Sequence, residues 1–275
     1  MSERALSDLA RVRHLVLDMD GTLYKGTRLF AQTTPFLERL MSLGIGRTLL
    51  TNNTSRSKAE YVTKLRRMGI NAEIDEIYTP AESVFVYLQA HLPNVKRIAI
   101  LGTPSLVEEF VEAGLSPDWD TPEAVVVGFD TTLAYERLCS TAYWIERGLP
   151  FLATHPDLVC PTDLPTVLVD CGAICACLTA ATGKKPIVFG KPNPSILHEL
   201  GDRLRLKPEE MLIVGDRIYT DMKMAQDAGV PAALVLTGEA RIDQVSAVAV
   251  KPDIIVDDIG QLGEMLVSAR NAARL

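Results

Sequence analysis

The stretch HLVLDMDGTLYKG, from His14 to Gly26, carries the strongest fold information in the chain. Its apolar run HLVL leads straight into Asp18 and Asp20, which one methionine separates and a glycine and a threonine follow. A short continuous apolar run is typical of a strand covered on both faces of a sheet. Two carboxylates at the end of such a strand repel each other and cost free energy to desolvate, so they require a compensating partner.

The rest of the chain alternates short β-rich runs with longer amphipathic segments. GRTLLTNN, EAVVVGFD and MLIVGD are typical of strands, whereas TTPFLERLMSLG is typical of a helix that ends at Gly44. Strands that alternate with helices through short loops predict parallel sheets with helical crossovers. We therefore predict an α/β protein with a Rossmann-like, doubly wound parallel sheet.

Composition narrows the function classes. The 275 residues are 47% hydrophobic and 23% charged, as in an ordinary globular protein, and carry a net charge of −7. This charge argues against a broad nucleic-acid surface or an anionic-membrane surface. No apolar run reaches the roughly 18 residues of a membrane span, and the first residues have no signal-peptide pattern. We expect a cytoplasmic protein without nucleic-acid or membrane partners.

The cysteines are odd in number and fall in the middle third of the chain: Cys139, Cys160, Cys171, Cys175 and Cys177. A secreted disulfide framework favours an even number of cysteines. Cys171 and Cys175 would share a helix face, but the chain has no C-x-x-C motif and no histidine at a ligand spacing nearby. We predict reduced cysteines that act as small buried hydrophobic residues.

Chemically active residues stand just past four of the predicted strands. They are Asp18 with Asp20, Thr51 with Asn52 and Asn53, Lys191, and Asp216 with Asp221 close behind. Ligands of open α/β sheets bind beyond the carboxyl ends of the strands, where adjacent parallel strands bring distant residues together. We therefore expect these groups to share one site.

The residue types indicate phosphoryl chemistry. Several converging carboxylates need a hard cation, and Mg²⁺ is the common choice where a phosphate completes the shell. One carboxylate left free can attack phosphorus, and a second can protonate the leaving oxygen and later deprotonate water. A lysine neutralises charge on the transferred group, while Thr51 and Asn52 offer a hydroxyl and an amide to the other phosphate oxygens.

The ordered motifs DMDGT, LLTNN, GKPNP and GDRIYTD resemble the four motifs of the haloacid dehalogenase superfamily of phosphotransferases. The wide gap between LLTNN and GKPNP resembles the branch with a large α/β cap, which includes para-nitrophenyl, phosphoglycolate and pyridoxal phosphatases and a nucleoside monophosphatase. The resemblance implies a catalytic core formed by residues 1–80 and 187–275, with an α/β cap inserted at residues 81–186. It also implies a homodimer.

The resemblance implies a role for each acidic residue. Asp18 is the nucleophile and a Mg²⁺ ligand, and Asp20 is the general acid/base that gives its main-chain carbonyl to the metal. Asp216 is a carboxylate ligand. Asp221 acts through the water shell of the metal, although it could also cap the helix TDMKMAQDAG.

The remaining site residues follow from the same resemblance. Thr51 and Asn52 hold the phosphoryl group together with Asn53, and Lys191 orients the nucleophile and balances charge. The implied activity is Mg²⁺-dependent hydrolysis of a small phosphorylated metabolite through an aspartyl-phosphate, with a sugar phosphate, phosphoglycolate or a nucleotide as substrate.

Several interpretations stay open at this point. A hydrolytic dehalogenase also uses an aspartate nucleophile, but a halide leaves without a proton, so Asp20 and Asp216 argue against it. A phospho-accepting receiver domain uses similar residues but has about half this length. In the predicted cap, His155, Asp170 and Cys171 could either face the substrate or serve the local structure.

Overall fold

The computed structural model describes residues 8–162, 165–247 and 249–273, and these residues divide into two compact units. The first unit comprises the described residues within Met1–Leu50, Lys64–Ile77 and Lys191–Leu275; the second comprises those within Thr51–Thr63 and Tyr78–Gly190. Each unit contains a sheet with parallel strands, which confirms the predicted α/β class. The limits 81–186 for an inserted cap stay a prediction.

The sheet of the first unit has the order β15-β14-β13-β1-β4-β5 among the described residues. The strands assigned to this unit are β1 (His14–Asp18), β2 (Tyr24–Lys25), β3 (Arg28–Leu29), β4 (Gly46–Leu50), β5 (Ile77–Tyr78, whose second residue belongs to the second unit), β13 (Met211–Gly215), β14 (Ala232–Val235) and β15 (Ile254–Val256). Strands β2 and β3 form a separate short antiparallel ladder.

The buried centre of this sheet sets the position of the polar strand ends. Strand β1 pairs in parallel with both β4 and β13, and Leu15, Val16 and Leu17 are fully buried. Asp18 stands opposite Leu50, the last residue of β4, and Leu17 stands opposite Val214 near the end of β13. The carboxyl ends of β1, β4 and β13 therefore lie at one edge of the sheet.

Helices cover this sheet or connect its strands. They are α1 (Thr33–Ser42), α2 (Lys58–Arg67, shared with the second unit), α7 (Ser195–Leu204), α8 (Lys223–Ala228), α9 (Ile242–Ala247) and α10 (Ile259–Ala272). Short 3₁₀ turns span Ile74–Glu76 and Pro208–Glu210, and a π-helical turn spans Ile218–Met222. In α2, a reciprocal pair of hydrogen bonds between Ser57 and Glu60 forms a capping box, which explains why the helix begins at Lys58.

The second unit has its own parallel sheet, in the order β12-β9-β8-β6-β7. Its strands are β6 (Arg97–Leu101), β7 (Ser116–Pro117), β8 (Ala124–Val127), β9 (Phe151–Ala153), β10 (Val159–Cys160), β11 (Leu168–Val169) and β12 (Ile187–Val188). Its helices are α3 (Pro80–His91), α4 (Pro104–Glu112), α5 (Tyr135–Glu146) and α6 (Cys171–Thr182). Strands β10 and β11 pair as an antiparallel ladder.

Alternate residues of the central strands face opposite sides of this second sheet. Ile98 and Val126 pack with residues of α3 and α4, whereas Ala99 and Val125 pack with residues of α5 and α6. The period of two explains how the continuous run AVVV supplies two hydrophobic cores at once. None of the described helices is long and apolar enough to cross a membrane.

The five cysteines are free thiols in the structure. Cys171 and Cys175 are buried in the core under α6, as predicted for small hydrophobic residues. Cys139 and Cys177 are exposed, so the same prediction is wrong for them. Both lie on helices of which only one face meets the sheet, and a cysteine on the opposite face remains in solvent.

Candidate active site

Asp18 is the last residue of β1, and the chain turns sharply immediately after it. The backbone N–H of Leu23 donates to the Met19 carbonyl at 2.8 Å, and Gly21 holds a φ of +92° that favours glycine. Asp20, within this turn, is exposed and forms an isolated bridge with Tyr24. Asp18 and Asp20 therefore have different surroundings, since the first is mostly buried and the second faces solvent.

Three carboxylates from distant parts of the sequence meet at the edge of the first sheet. Asp18 ends β1, Asp216 follows β13 directly, and Asp221 lies in the π-helical turn before α8. One carboxylate oxygen from each lies within 4.8 Å of the others. π-Helical turns are rare in proteins, and many of those that occur lie at functional sites. This turn brings Asp221 back toward the strand end.

Lys191 supplies a positive charge to this cluster. It is only 3% exposed, and its Nζ donates to Asp18 Oδ1 and, at 2.7 Å, to Asp221 Oδ1. Burial alone would lower the pKa of Lys191, but the charges of Asp18 and Asp221 outweigh it and raise the pKa above its ordinary value. The lysine is therefore protonated and fixed between the two carboxylates.

Glycines leave room for the carboxylates. A Cβ on Gly21 would lie 2.3 Å from Asp216 Oδ2, and one on Gly238 would lie 1.9 Å from the same oxygen. A Cβ on Gly215 would lie 2.3 Å from Asp221 Cγ. Real Cβ atoms do not approach so closely, so a side chain at any of these positions would force the aspartate to move.

The hydrogen bonds of Asp216 leave one of its oxygens for a ligand. Oδ2 accepts from the Glu239 backbone N–H at 2.7 Å, whereas the buried Oδ1 has no hydrogen-bond partner among the described residues. Burial raises the pKa of Asp216 to about 6 and, with Lys191 opposing, the pKa of Asp18 to about 8. Both pKa shifts follow from burial, which makes the charged carboxylate costly unless a counter-charge lies beside it.

The charge balance and the donor atoms fit a divalent cation. Three carboxylates and one lysine give the cluster a net charge of −2 when all are ionised, which one Mg²⁺ would neutralise. Mg²⁺ prefers oxygen ligands of this kind. Asp18, Asp216 and Asp221 are thus placed to hold a hard divalent ion, and their individual roles stay predictions.

The second predicted strand-end segment belongs to the second unit. Thr51 follows Leu50 of β4, and its Oγ1 accepts from the Asn53 backbone N–H at 3.1 Å. Asn52 Nδ2 donates to the two carboxylate oxygens of Asp157 at 3.2 and 3.3 Å. The predicted phosphoryl-binding roles of Thr51, Asn52 and Asn53 stay predictions.

The three undecided residues of the predicted cap lie close together in the second unit. Asp170 caps α6 through the Cys171 backbone N–H, and Cys171 Sγ contacts the Val127 carbonyl at 3.3 Å. Burial lowers the pKa of His155 to about 4, with the Asp157 carboxylate opposing. Asp170 and Cys171 each have a structural contact here and His155 is completely buried, so whether any of the three faces the substrate stays open.

The sequence interpretation missed the segment after β14. Thr237 Oγ1 donates to the Gly21 carbonyl at 2.6 Å, which secures the turn after Asp18, and Gly238 and Glu239 contact Asp216 directly. The available signal was the LTGE sequence at the end of a buried strand, the same position in the sheet that identified the other site residues.

Comparison with known proteins agrees with this geometry. A family model described as haloacid dehalogenase-like hydrolase matches residues 15–116, and a HAD-hydrolase-like model matches residues 188–262. An acid sugar phosphatase of Staphylococcus epidermidis is 30% identical over 89% of this chain and 94% of its own. This chain belongs to the haloacid dehalogenase-like hydrolases. The predicted membership of this phosphatase family, and with it the prediction of an enzyme, is confirmed.

Solved structures of other family members match over most of this chain. A 4-nitrophenylphosphatase from Thermotoga maritima is 36% identical, with a TM-score of 0.89 over 94% of this chain and 98% of its own. A glycerol phosphate phosphatase from Mycobacterium tuberculosis, in complex with magnesium, is 30% identical, with a TM-score of 0.85 over 94% of this chain and 78% of its own. Each name describes the activity of that relative.

Proposed function

We propose that this haloacid dehalogenase-like hydrolase is a Mg²⁺-dependent phosphomonoesterase that acts on a small phosphorylated metabolite through an aspartyl-phosphate intermediate. One observation carries the proposal: Asp18, Asp216 and Asp221 gather around Lys191 with a net charge of −2. The relatives named for sugar phosphate, nitrophenyl phosphate and glycerol phosphate support a small phosphate ester as the substrate class.

In the proposed first step, a carboxylate oxygen of Asp18 attacks phosphorus in line with the leaving oxygen. Lys191 holds Asp18 in place and offsets the negative charge that collects on the phosphoryl oxygens. A Mg²⁺ ion would be held by Asp18, Asp216 and the main-chain carbonyl of Asp20, with Asp221 acting through its water shell, and would supply further charge stabilisation. Asp20, exposed beside the strand end, donates a proton to the leaving oxygen.

In the second step, water replaces the leaving group. Asp20, which lost its proton in the first step, accepts a proton from this water as the water attacks the aspartyl-phosphate. Phosphate leaves, and the Asp18 carboxylate returns to its starting state. The two roles of Asp20 require a solvent-accessible carboxyl group, which agrees with its exposure.

Other parts of the proposal extend the sequence predictions. Thr51, Asn52 and Asn53 bind the phosphoryl oxygens, and residues 81–186 form the cap. A homodimer and a cytoplasmic location stay predictions, the first testable by light scattering on the purified protein. Hydrolytic dehalogenation remains the alternative that the activity assay would exclude.

A substrate panel tests the proposal. Phosphorylated metabolites and 4-nitrophenyl phosphate are assayed with Mg²⁺ and after chelation, with haloacids as a parallel set. We expect Mg²⁺-dependent phosphate release that Asp18→Asn abolishes without loss of the folded circular dichroism spectrum. The matched control is Glu38→Gln, which removes an exposed carboxylate from α1 and should retain full activity. Full activity of Asp18→Asn, or activity on haloacids alone, would contradict the proposal.

A further inference from the structure

A second cluster of ligating side chains lies within the second unit. His155 and Asp157 follow β9, and Asp170 precedes α6. His155 Nε2 lies 3.4 Å from Asp170 Oδ1, and His155 Nδ1 lies 3.9 Å from Asp157 Oδ2. One ligating atom from each of the three residues lies within 4.8 Å of the other two.

The backbone holds this cluster in a fixed arrangement. The Gly172 N–H donates to the Asp157 carbonyl at 2.8 Å, and the Asp170 N–H donates to the Leu158 carbonyl at 3.1 Å. A Cβ on Gly172 would lie 2.1 Å from the Pro156 carbonyl oxygen, so glycine allows the loop to rest on the first turn of α6. The three side chains are therefore positioned in advance of any ligand.

His155 provides the observation that points to a ligand. The side chain is fully buried, yet neither ring nitrogen has a hydrogen-bond partner among the described residues. A buried polar group without a partner is costly, and native proteins rarely leave one unsatisfied. Nε2 lies beside the Asp170 carboxylate and Nδ1 beside the Asp157 carboxylate, and a cation would use the lone pair of one ring nitrogen.

The distance between His155 Nε2 and Asp170 Oδ1 matches a transition-metal ion, and the Asp157 carboxylate, within 4.8 Å, would move closer on binding. Two ligands that are each about 2.1 Å from a tetrahedral metal are separated by about 3.4 Å, the spacing of His155 Nε2 and Asp170 Oδ1. One imidazole with two carboxylates suits Zn²⁺ or Mn²⁺, whereas Mg²⁺ prefers an all-oxygen shell. A cavity of about 500 Å³ borders the cluster on the side of His155, Pro156 and Gly172.

We propose that His155, Asp157 and Asp170 bind one divalent transition-metal ion, with Zn²⁺ as the preferred occupant. The site uses none of the residues proposed for Mg²⁺. A bound ion joins the loop after β9 to the first turn of α6. It also fixes the Asp157 carboxylate, which accepts the hydrogen bonds of Asn52.

Metal binding is measured on the whole chain in an Asp216→Asn background that weakens the first cluster, and saturating Mg²⁺ is added to the dialysis buffer to occupy what remains of it. The metal-free protein is dialysed against Zn²⁺ and analysed by elemental mass spectrometry, and Co²⁺ serves as a second probe because its visible absorption reports imidazole ligation. We expect one Zn²⁺ equivalent and a Co²⁺ spectrum, both lost on adding His155→Asn. Asp170→Asn should weaken Zn²⁺ binding at least tenfold, and Asn still caps a helix, so the fold is retained.

The matched control is His91→Asn, which removes an exposed histidine of the same unit and should leave the Zn²⁺ stoichiometry at one. The proposal is overturned if the His155→Asn protein, shown to be folded by circular dichroism, binds as much Zn²⁺ as its parent. It is equally overturned if the parent binds no Zn²⁺. Neither result depends on phosphatase activity, so the test is separate from that of the proposed function.

Discussion

The substitution Gly238→Ala probes the room that Asp216 requires. A Cβ at this position would lie 1.9 Å from Asp216 Oδ2 and 2.4 Å from its Cγ. Ordinary contact begins at 3.4 Å, so the first distance is short by 1.5 Å (3.4 minus 1.9). The φ of Gly238 lies outside the left-handed region, so alanine adds a steric clash there without backbone strain of that kind.

The steric clash should lower the affinity of the site for Mg²⁺. The Asp216 carboxylate must move away from the alanine, and a shift near 1.5 Å is several times the tolerance of about 0.2 Å in metal–ligand distances. Mutation of a residue that positions a metal ligand typically lowers metal affinity by about 10–100-fold, or about 1.4–2.7 kcal/mol. We expect the Mg²⁺ concentration at half-maximal activity to rise by this factor.

The assay is a Mg²⁺ titration of 4-nitrophenyl phosphate hydrolysis, with calorimetry of Mg²⁺ binding in parallel. Gly229→Ala is the matched control, because Gly229 has a φ of +68° with no neighbour within 4 Å of an added Cβ. This control should lower the melting temperature through backbone strain and leave Mg²⁺ affinity unchanged. If Gly238→Ala binds Mg²⁺ as tightly as the wild type, the assignment of Asp216 as a ligand is wrong.

Three further predictions follow from the same structure. Asp20→Asn should slow hydrolysis of an alkyl phosphate by about 10²–10⁴-fold. Hydrolysis of 4-nitrophenyl phosphate should slow far less, because nitrophenolate leaves without a proton. Equal losses of rate on the two substrates would refute the proton-donor role. Lys191→Met should reduce kcat by about 10²–10³-fold in a folded protein, and a kcat within threefold of the wild type would contradict its role in charge stabilisation. Burial raises the pKa of Glu109 from 4.5 to about 7. The contribution of this side chain to the free energy of unfolding is therefore complete below pH 4.5 and is lost as the pH rises through 7, a loss of about 3 kcal/mol at most. Denaturant melts should show this loss in the wild type and in the exposed control Glu108→Gln but not in Glu109→Gln, and identical pH profiles for all three would refute it.

The sequence was sufficient to predict the carboxylate cluster of the first sheet because its strand ends depend on local patterns. The run HLVL predicts a buried strand, and β1 spans His14–Asp18. A parallel sheet then places the residue after each strand at one edge, which brings Asp216 beside Asp18 although 198 positions separate them. Parallel strands with helical crossovers were enough to predict that these residues meet, whereas the strand order came only from the structure.

Features that depend on tertiary packing were not predictable in the same way. Gly238 looks like an ordinary turn glycine until Asp216 is placed against it. The buried Glu109 carboxylate accepts hydrogen bonds from the Thr79 hydroxyl and the Lys58 backbone N–H, both distant in sequence. His155 reads as a loop residue in ATHPD, and only the fold reveals that its ring is buried without a hydrogen-bond partner among the described residues.

The most direct test of the account is to identify the atom that carries the phosphoryl group during turnover. The enzyme is mixed with Mg²⁺ and substrate, quenched in acid within one turnover, treated with borohydride and digested for mass spectrometry. The account predicts reduction of a single phosphorylated aspartate, so that homoserine appears at position 18 and is absent from Asp18→Asn. Turnover at an undiminished rate with an unmodified Asp18, or with the phosphoryl group on another residue, would contradict it.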